Sequence, residues 1–380
     1  MPKKTKILYT MPGNVAGGGH LGTLEIMDRS RSFGFEPIAA INNLNTEITL
    51  LLEHYKIPYI YVEGYPTLVV KDMTQFLRQI ILLWKFIIKY RISLIHLSDL
   101  VTGHYGIVAA KLAGIPSVMH MKSLYWTNEY GWSNRIILSL ASKIISISDA
   151  VHMACLDARL PSNKIITIHD GVDPELFPEK SKKEAEVKKT LAIAENKIVI
   201  GFVSRLGVEW KNEPLIYNLA RQLNKEFKNI IILIAGGPYD GKEKTFYKSK
   251  ELAKRLGGNT DIQFLGNIKN VPEILPAMDV LLVPSKKEPF GRVVLEGMAA
   301  GLPVIGSNNG GIPEMITDGH NGFLRPPDNI DEWTKIVSTL IINPKLRKEI
   351  GINALKTVQK EFTLEKMIAN VAQEYIKLLK

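Results

Sequence analysis

The chain has 380 residues, 46% of them hydrophobic, one cysteine and a formal net charge of +10. That length is enough for two domains of ordinary size, each with its own core, and the lone Cys155 excludes a disulfide framework. The charge invites a nucleic-acid reading, yet much of its excess after residue 175 sits in the single run KSKKEAEVKK at Lys180–Lys189, which reads as a solvated linker or helix surface.

Residues 1–175 hold 17 basic and 14 acidic side chains, leaving +7 for the remainder. No RNA-recognition, zinc-finger or helix-turn-helix signature accompanies that charge, so no nucleic-acid partner is expected. The start MPKKTKILYTMPGN has too short an apolar run for a signal peptide. No stretch approaches the roughly 20 consecutive apolar residues that span a bilayer. The nearest, Ile80–Ile88, is interrupted by Lys85. A cytoplasmic location is therefore expected.

In chain order the first half alternates strand and helix. Strand KILYT leads to a helix after the glycines at 17–19, then strand PIAAI, a helix around Glu47–His54, strand PYIYV and a long helix near Thr74–Tyr90. Strand LIHL, helix YGIVAAKLAG, strand PSVMH, a helix near Arg135, strand KIISIS, helix DAVHMACLDA and strand KIITI follow. This order builds a doubly wound parallel sheet. From Lys197 the pattern repeats through strands KIVIGFV, IIILIA, IQFL, DVLLVP and PVIGS. Two Rossmann-like α/β domains are expected, at 1–174 and 197–362, with a linker at 175–196.

The stretch EPFGRVVLE holds Glu288 and Glu296 with seven residues between them. It follows a strand that ends at Pro284 and leads into the Gly-rich GMAAGLPVIGSNNGGIPEMI. In an open parallel sheet the loops at the carboxyl ends of the strands bind ligand, and a helix starting near Gly291 turns free N–H groups toward an anion. Carboxylates placed on the loop and inside the helix accept hydrogen bonds from hydroxyls. An anionic centre with hydroxyl-bearing ends is a nucleotide sugar.

Residues 288–314 closely resemble the donor-binding signature of the retaining glycosyltransferases of family 4, which have the two-domain GT-B fold. GGGHLGTLE at Gly17–Glu25, IPSVMH ending at His120, KIITIHDGVDPELF at Lys164–Phe177 and GFVSRLGVEWKN at Gly201–Asn212 are similar to that family in its order. AGGPYDG at Ala235–Gly241 and DIQFLGNI at Asp261–Ile268 match as well. The resemblance implies two domains facing each other across a cleft, with a last helix, 363–380, that crosses back onto the first. It implies that Arg205 and Lys211 neutralise the leaving diphosphate, Arg as a fork and Lys as a point charge. Glu288 would hold the transferred sugar and Glu296 the ribose, with the backbone of Phe290, Gly291 and Arg292 lining sugar and phosphate. Gly237, Asn267 and Ile268 would cradle the nucleobase. Gly17 and Gly18 would approach the donor from the first domain, or simply form a turn, and His120 would contact the sugar. Asn212 departs from the pattern, which has Gly after the Lys and so permits a left-handed backbone more freely.

Asp-x-Asp occurs nowhere in the chain, so charge neutralisation by cations rather than a divalent metal is expected, and no cofactor beyond the donor. The acceptor would be a saccharide, a lipid-linked sugar or a small molecule, in surface glycan or glycoconjugate synthesis. A nucleotide-sugar epimerase of like architecture is the main alternative. A nicotinamide dehydrogenase is disfavoured, because no Gly-x-Gly-x-x-Gly after the first strand is paired with an acidic residue after the second. A non-catalytic sugar-binding module would not need the full set of donor residues. In the long helix, Arg78, Lys85 and Lys89 cluster on one side, while the apolar arc is wider than the stripe that faces a sheet. That surplus is either packed under neighbouring elements or laid on a membrane surface.

Overall fold

The computed structural model describes residues 5–11, 13, 17–42, 44, 46–62, 73–98, 100–124, 132–178, 180–238, 242–258 and 260–380. The end of the AGGPYDG segment, Tyr239–Gly241, lies outside the described residues. The chain divides into two compact units, Met1–Asp170 with Leu364–Lys380, and Gly171–Thr363.

The first unit has strands β1 (Thr5–Thr10), β2 (Phe35–Ile41), β3 (Tyr59–Tyr61), β4 (Leu94–Leu97), β5 (Ser117–Met121), β6 (Lys143–Ser146) and β7 (Ile165–Thr167). Its helices are α1 (Gly18–Ser30), α2 (Glu47–His54), α3 (Met73–Tyr90), α4 (Leu100–Leu112), α5 (Trp132–Ser139) and α6 (Asp149–Asp157). The strands form one seven-stranded sheet in the order β3-β2-β1-β4-β5-β6-β7. Every pairing is parallel. With right-handed crossovers, the reversal of direction after β3 puts α1 and α2 on one face and the helices from α3 onward on the other.

The second unit carries α7 (Lys180–Thr190), β8 (Ile198–Val203), α8 (Glu213–Glu226), β9 (Ile230–Ala235), α9 (Glu243–Gly257), β10 (Ile262–Gly266) and α10 (Val271–Ile274). It continues through β11 (Val280–Val283), α11 (Arg292–Ala299), β12 (Val304–Ser307), β13 (Phe323–Arg325), α12 (Ile330–Ile342) and α13 (Pro344–Glu361). Its six strands run β10-β9-β8-β11-β12-β13. Central strands covered on both faces need unbroken apolar sequence, and β9, IIILIA, is buried at every position. The sixth strand, β13, is not among the five expected; at three residues, FLR, it has too little pattern to read.

The segment expected as a linker is largely the helix α7, and it belongs to the second unit. Lys182, Lys183, Glu186 and Lys189 are exposed, as a solvated helix surface would be, but Lys188 is pinned. Lys188, 3% exposed, pairs with Glu184 at 2.7 Å and with Asp279 at 3.8 Å, and donates to the Lys197 carbonyl at 3.1 Å. Asp279 in turn accepts from the Val199 N–H at 2.9 Å, which ties α7 to the starts of β8 and β11. A buried lysine is tolerable only with such partners.

The last helix, α14 (Leu364–Leu379), belongs to the first unit. Leu364, Met367, Ile368, Val371, Ala372 and Tyr375 join a core with Tyr9 of β1 and Leu24 and Met27 of α1. The chain enters and leaves the second unit side by side: Val172 bridges Thr363, and its N–H donates to the Phe362 carbonyl at 3.0 Å.

Candidate active site

All strands of the second unit are parallel, so the segments after β8, β9, β10, β11 and β12 emerge at one edge of the sheet. Arg205, Gly237, Asn267, Glu288 and the Gly310–Gly311 turn are on those five segments. Three of them are laced by backbone bonds. Leu206 N–H donates to Gly237 O at 2.9 Å, Gly236 N–H to Gly266 O at 2.8 Å, and Ser204 N–H to Ala235 O at 2.9 Å. A Cβ on Gly237 would stand 3.1 Å from Asn267 Cβ, so these two expected nucleobase residues are adjacent. Asn267 is exposed and Ile268 half-buried.

Lys211 ends a short turn after β8, and its Nζ reaches Glu288 Oε2 at 2.6 Å. Arg205 is exposed on the segment before it. Asn212 adopts the left-handed backbone, φ 59°, that its place after Lys211 demands. Its side-chain amide donates to the carbonyls of Pro284 at 3.3 Å and Pro327 at 2.9 Å. Those bonds show how Asn fills a place where Gly is the pattern.

Glu288 is held from behind by its own backbone. Gly311 N–H donates to its carbonyl at 2.9 Å, and at Gly310, φ 65°, a Cβ would fall 2.0 Å from that oxygen. Only Gly permits this approach, so the turn fixes where the carboxylate can reach. Gly291, φ 99°, caps α11, while the Phe290 ring is buried and packs near Phe362, with centroids 6.2 Å apart. Glu296 is half-buried, as its apolar neighbours required, and is paired: Arg292 Nε lies 3.3 Å from its Oε1. Arg292, expected to contribute backbone, therefore also holds Glu296 by its side chain.

In the first unit, Gly17 is the N-cap of α1, with its N–H on His20 Nδ1 at 3.2 Å, and Gly18 opens the helix. His120 lies near the end of β5, buried, with Nδ1 3.2 Å from His96 Nε2. His96 Nδ1 lies 2.7 Å from Tyr375 Oη. Burial first, and then the charge of Lys122, push His96 down to about 3 and His120 well below the ordinary imidazole value, so both rings are neutral at neutral pH. Burial pushes Tyr9 up to about 12 and raises Tyr375 well above the usual phenol range.

Sequence reasoning passed over Lys122, Glu213, His96 and Tyr375. Lys122 Nζ bonds Gly19 O at 2.8 Å and Thr23 Oγ1 at 2.6 Å, fixing the first turn of α1. Its position two residues after His120, one strand period, is a signal that could have found it. Glu213, buried, accepts from the Gly207 N–H and from Tyr217 Oη, the latter at 3.1 Å, and so shapes the turn that carries Lys211.

Two parallel α/β units, with sheets of seven and six strands, are the architecture of the GT-B glycosyltransferases. Two glycosyltransferase families match the chain, each over less than half of it. Residues 40–176 match the family described as Glycosyltransferase Family 4, and residues 183–357 the one described as Glycosyl transferases group 1. An N-acetyl-alpha-D-glucosaminyl L-malate synthase of Bacillus anthracis is 27% identical over 220 residues, which is 58% of this chain and 55% of that protein's length. An uncharacterized glycosyltransferase of Methanocaldococcus jannaschii is 29% identical over 294 residues, 74% of this chain and 76% of its own. Among solved structures, HepE of Anabaena in complex with UDP and glucose shares the fold with a TM-score of 0.85 and 24% identity, covering 98% of this chain and 100% of that one. No helix among the described residues is long and apolar enough to cross a membrane.

Proposed function

We propose that this protein transfers a sugar from a nucleoside diphosphate donor to an acceptor hydroxyl, with retention at the anomeric carbon and without a metal ion. The observation that carries this reading is the Lys211–Glu288 pair at the carboxyl edge of a Rossmann-like sheet. A cation and a carboxylate within one hydrogen bond of each other suit a phosphate joined to a sugar.

Arg205 and Lys211 neutralise the diphosphate as it leaves, helped by the N–H groups opening α11. Glu288 binds sugar hydroxyls, Glu296 the ribose, and Gly237, Asn267 and Ile268 border the base. His120 contacts the sugar from the first unit, where Gly17 and Gly18 line the acceptor side. The bond from the anomeric carbon to the diphosphate breaks while the acceptor oxygen bonds on the same face. The acceptor proton passes to the departing phosphate oxygen. Metal independence is supported by the missing Asp-x-Asp and by the two cations.

A thermal-shift screen across uridine, guanosine and adenosine diphosphate sugars tests the reading. A ligand at about 100 times its dissociation constant adds roughly 2.7 kcal/mol. Product analysis with donor alone separates transfer from epimerisation, and failure of every diphosphate to bind would sink the donor assignment.

The acceptor, we propose, is presented at a membrane, in surface glycan or glycoconjugate synthesis, with the enzyme on the cytoplasmic face. Supporting this is α3, which buries Gln79, Ile80, Leu83 and Ile87 but exposes Met73, Leu77, Ile81, Trp84 and Ile88 by 68, 51, 50, 38 and 53%. Those five recur every three or four residues, one stripe along a helix about 27 Å long. Arg78, Lys85 and Lys89 flank it. Such a pattern suits an anionic bilayer surface, the rings and aliphatic chains entering the acyl boundary and the cations meeting headgroups.

A further inference from the structure

Four rings form a buried chain in the first unit, carried by three neighbouring strands and the C-terminal helix. Tyr9 of β1 and His96 of β4 are partners in register, and His120 lies on β5, next to β4. Tyr9 Oη is 3.3 Å from Tyr375 Oη, Tyr375 Oη 2.7 Å from His96 Nδ1, and His96 Nε2 3.2 Å from His120 Nδ1. The far nitrogen, His120 Nε2, is buried without a hydrogen-bond partner among the described residues.

Each neutral imidazole carries one N–H, so a single choice at Tyr375 sets every link beyond it. If Tyr375 donates to His96 Nδ1, the His96 proton is on Nε2 and is given to His120 Nδ1, which leaves His120 with an Nε2–H donor. If Tyr375 donates to Tyr9 instead, every bond reverses and His120 Nε2 becomes an acceptor. The distances favour the first arrangement. O–H donors sit about 2.5–3.0 Å from their acceptors and N–H donors about 2.7–3.2 Å. The 2.7 Å link fits an O–H given to His96, whereas 3.3 Å is too long for a good O–H bond to Tyr9. Tyr9 has another outlet in Ser30, whose own hydroxyl donates to Met27 O at 3.0 Å and so is free to accept.

We infer that Tyr375 and His96 are positioning residues that hold His120 as an Nε2–H donor, so that it offers the donor sugar a hydrogen bond and cannot serve as a base. This rests on the reading that His120 contacts the sugar. The consequence fits a mechanism in which the leaving phosphate, rather than an imidazole, takes the acceptor proton.

The test is a long-range 15N–1H spectrum of the full chain with labelled histidines, which reports which ring nitrogen holds the proton. His96→Gln and His120→Gln assign the two rings, and elimination of the other six histidines does so should either variant not fold. The expected result is a proton on Nε2 of both rings, and a mixture of tautomers at His120 in Tyr375→Phe. A proton on His120 Nδ1 in the unaltered protein, or an unchanged His120 tautomer in Tyr375→Phe, overturns the inference. The spectrum needs no substrate, so a failure of the donor assignment would show separately, as absent nucleotide binding beside an intact Nε2–H tautomer.

Discussion

Lys211 Nζ stands 2.6 Å from Glu288 Oε2, with the two side chains only 17% and 10% exposed, and this pair joins the loop after β8 to the loop after β11. By sequence position Arg205 and Lys211 are alike. By structure they are not, since Arg205 is exposed and Lys211 is the partner of a buried carboxylate.

Arg205→Ala should therefore leave stability within about 0.5 kcal/mol, as at ordinary surface sites. Lys211→Ala should cost about 1–3 kcal/mol, because it strips a buried acid of its partner. Both should lower turnover by about 10² to 10³ if they stabilise the leaving diphosphate, and their effects should not add. Melting temperature and kcat measured on the same preparations check this; near-normal rates would place both cations outside the donor site.

Glu288→Gln keeps the shape and loses the charge. Use of the sugar should fall while affinity for the free nucleoside diphosphate stays nearly unchanged, and calorimetric titration with diphosphate and with donor measures the split. Equal losses for both ligands would mean that Glu288 acts on the phosphates through Lys211.

Asn212→Ala should destabilise by about 1–3 kcal/mol, since Ala pays for a positive φ and leaves the Pro284 and Pro327 carbonyls without their donor. Asn212→Gly loses the same bonds but relieves the backbone, so it should be milder. Denaturant midpoints order the two variants, and the reverse order would refute the backbone account.

Stability should fall in acid through the buried imidazoles. His96 is lowered from 6.5 to about 3, and His120 is lowered as well. Below the unfolded value the unfolded chain binds protons that the folded rings refuse. Stability is thus full above about 6.5 and declines as pH falls toward the folded values, by up to about 1.4 kcal/mol per unit for each ring. Urea unfolding at a series of pH values reads the slope, and a flat profile between about 6.5 and 4.5 would count against neutral buried rings.

Vesicle sedimentation examines α3. Binding to anionic vesicles that weakens with added salt is expected, with Ile81→Glu and Trp84→Glu losing it while melting normally. A protein that stays in the supernatant at low salt, or pairs with itself through the stripe, would remove the bilayer from the proposal.

Sequence pattern disclosed both sheets because central parallel strands must be apolar throughout, and β9 or β11 can scarcely be read otherwise. β13 escaped because three residues carry no period. The α7 segment misled for a related reason: its sequence reports charge, and only the fold shows that Asp279 and Glu184 wait for Lys188. That Arg205, Gly237, Asn267 and Glu288 follow strands was legible from the strand pattern. Their partners were not, since Tyr375 lies 279 positions from His96 and nothing local announces that contact.

The crossing of Val172 beside Thr363 has a consequence for synthesis. Tyr9, Leu24 and Met27 are made before the second unit, but the helix that covers them is made after it. At about 5–20 residues per second, the intervening unit appears over roughly 10 to 40 seconds and can fold as a closed body in that time. Until α14 arrives, the apolar floor of the earlier sheet stays open to water and to chaperones. The unit begun before its neighbour is completed after it.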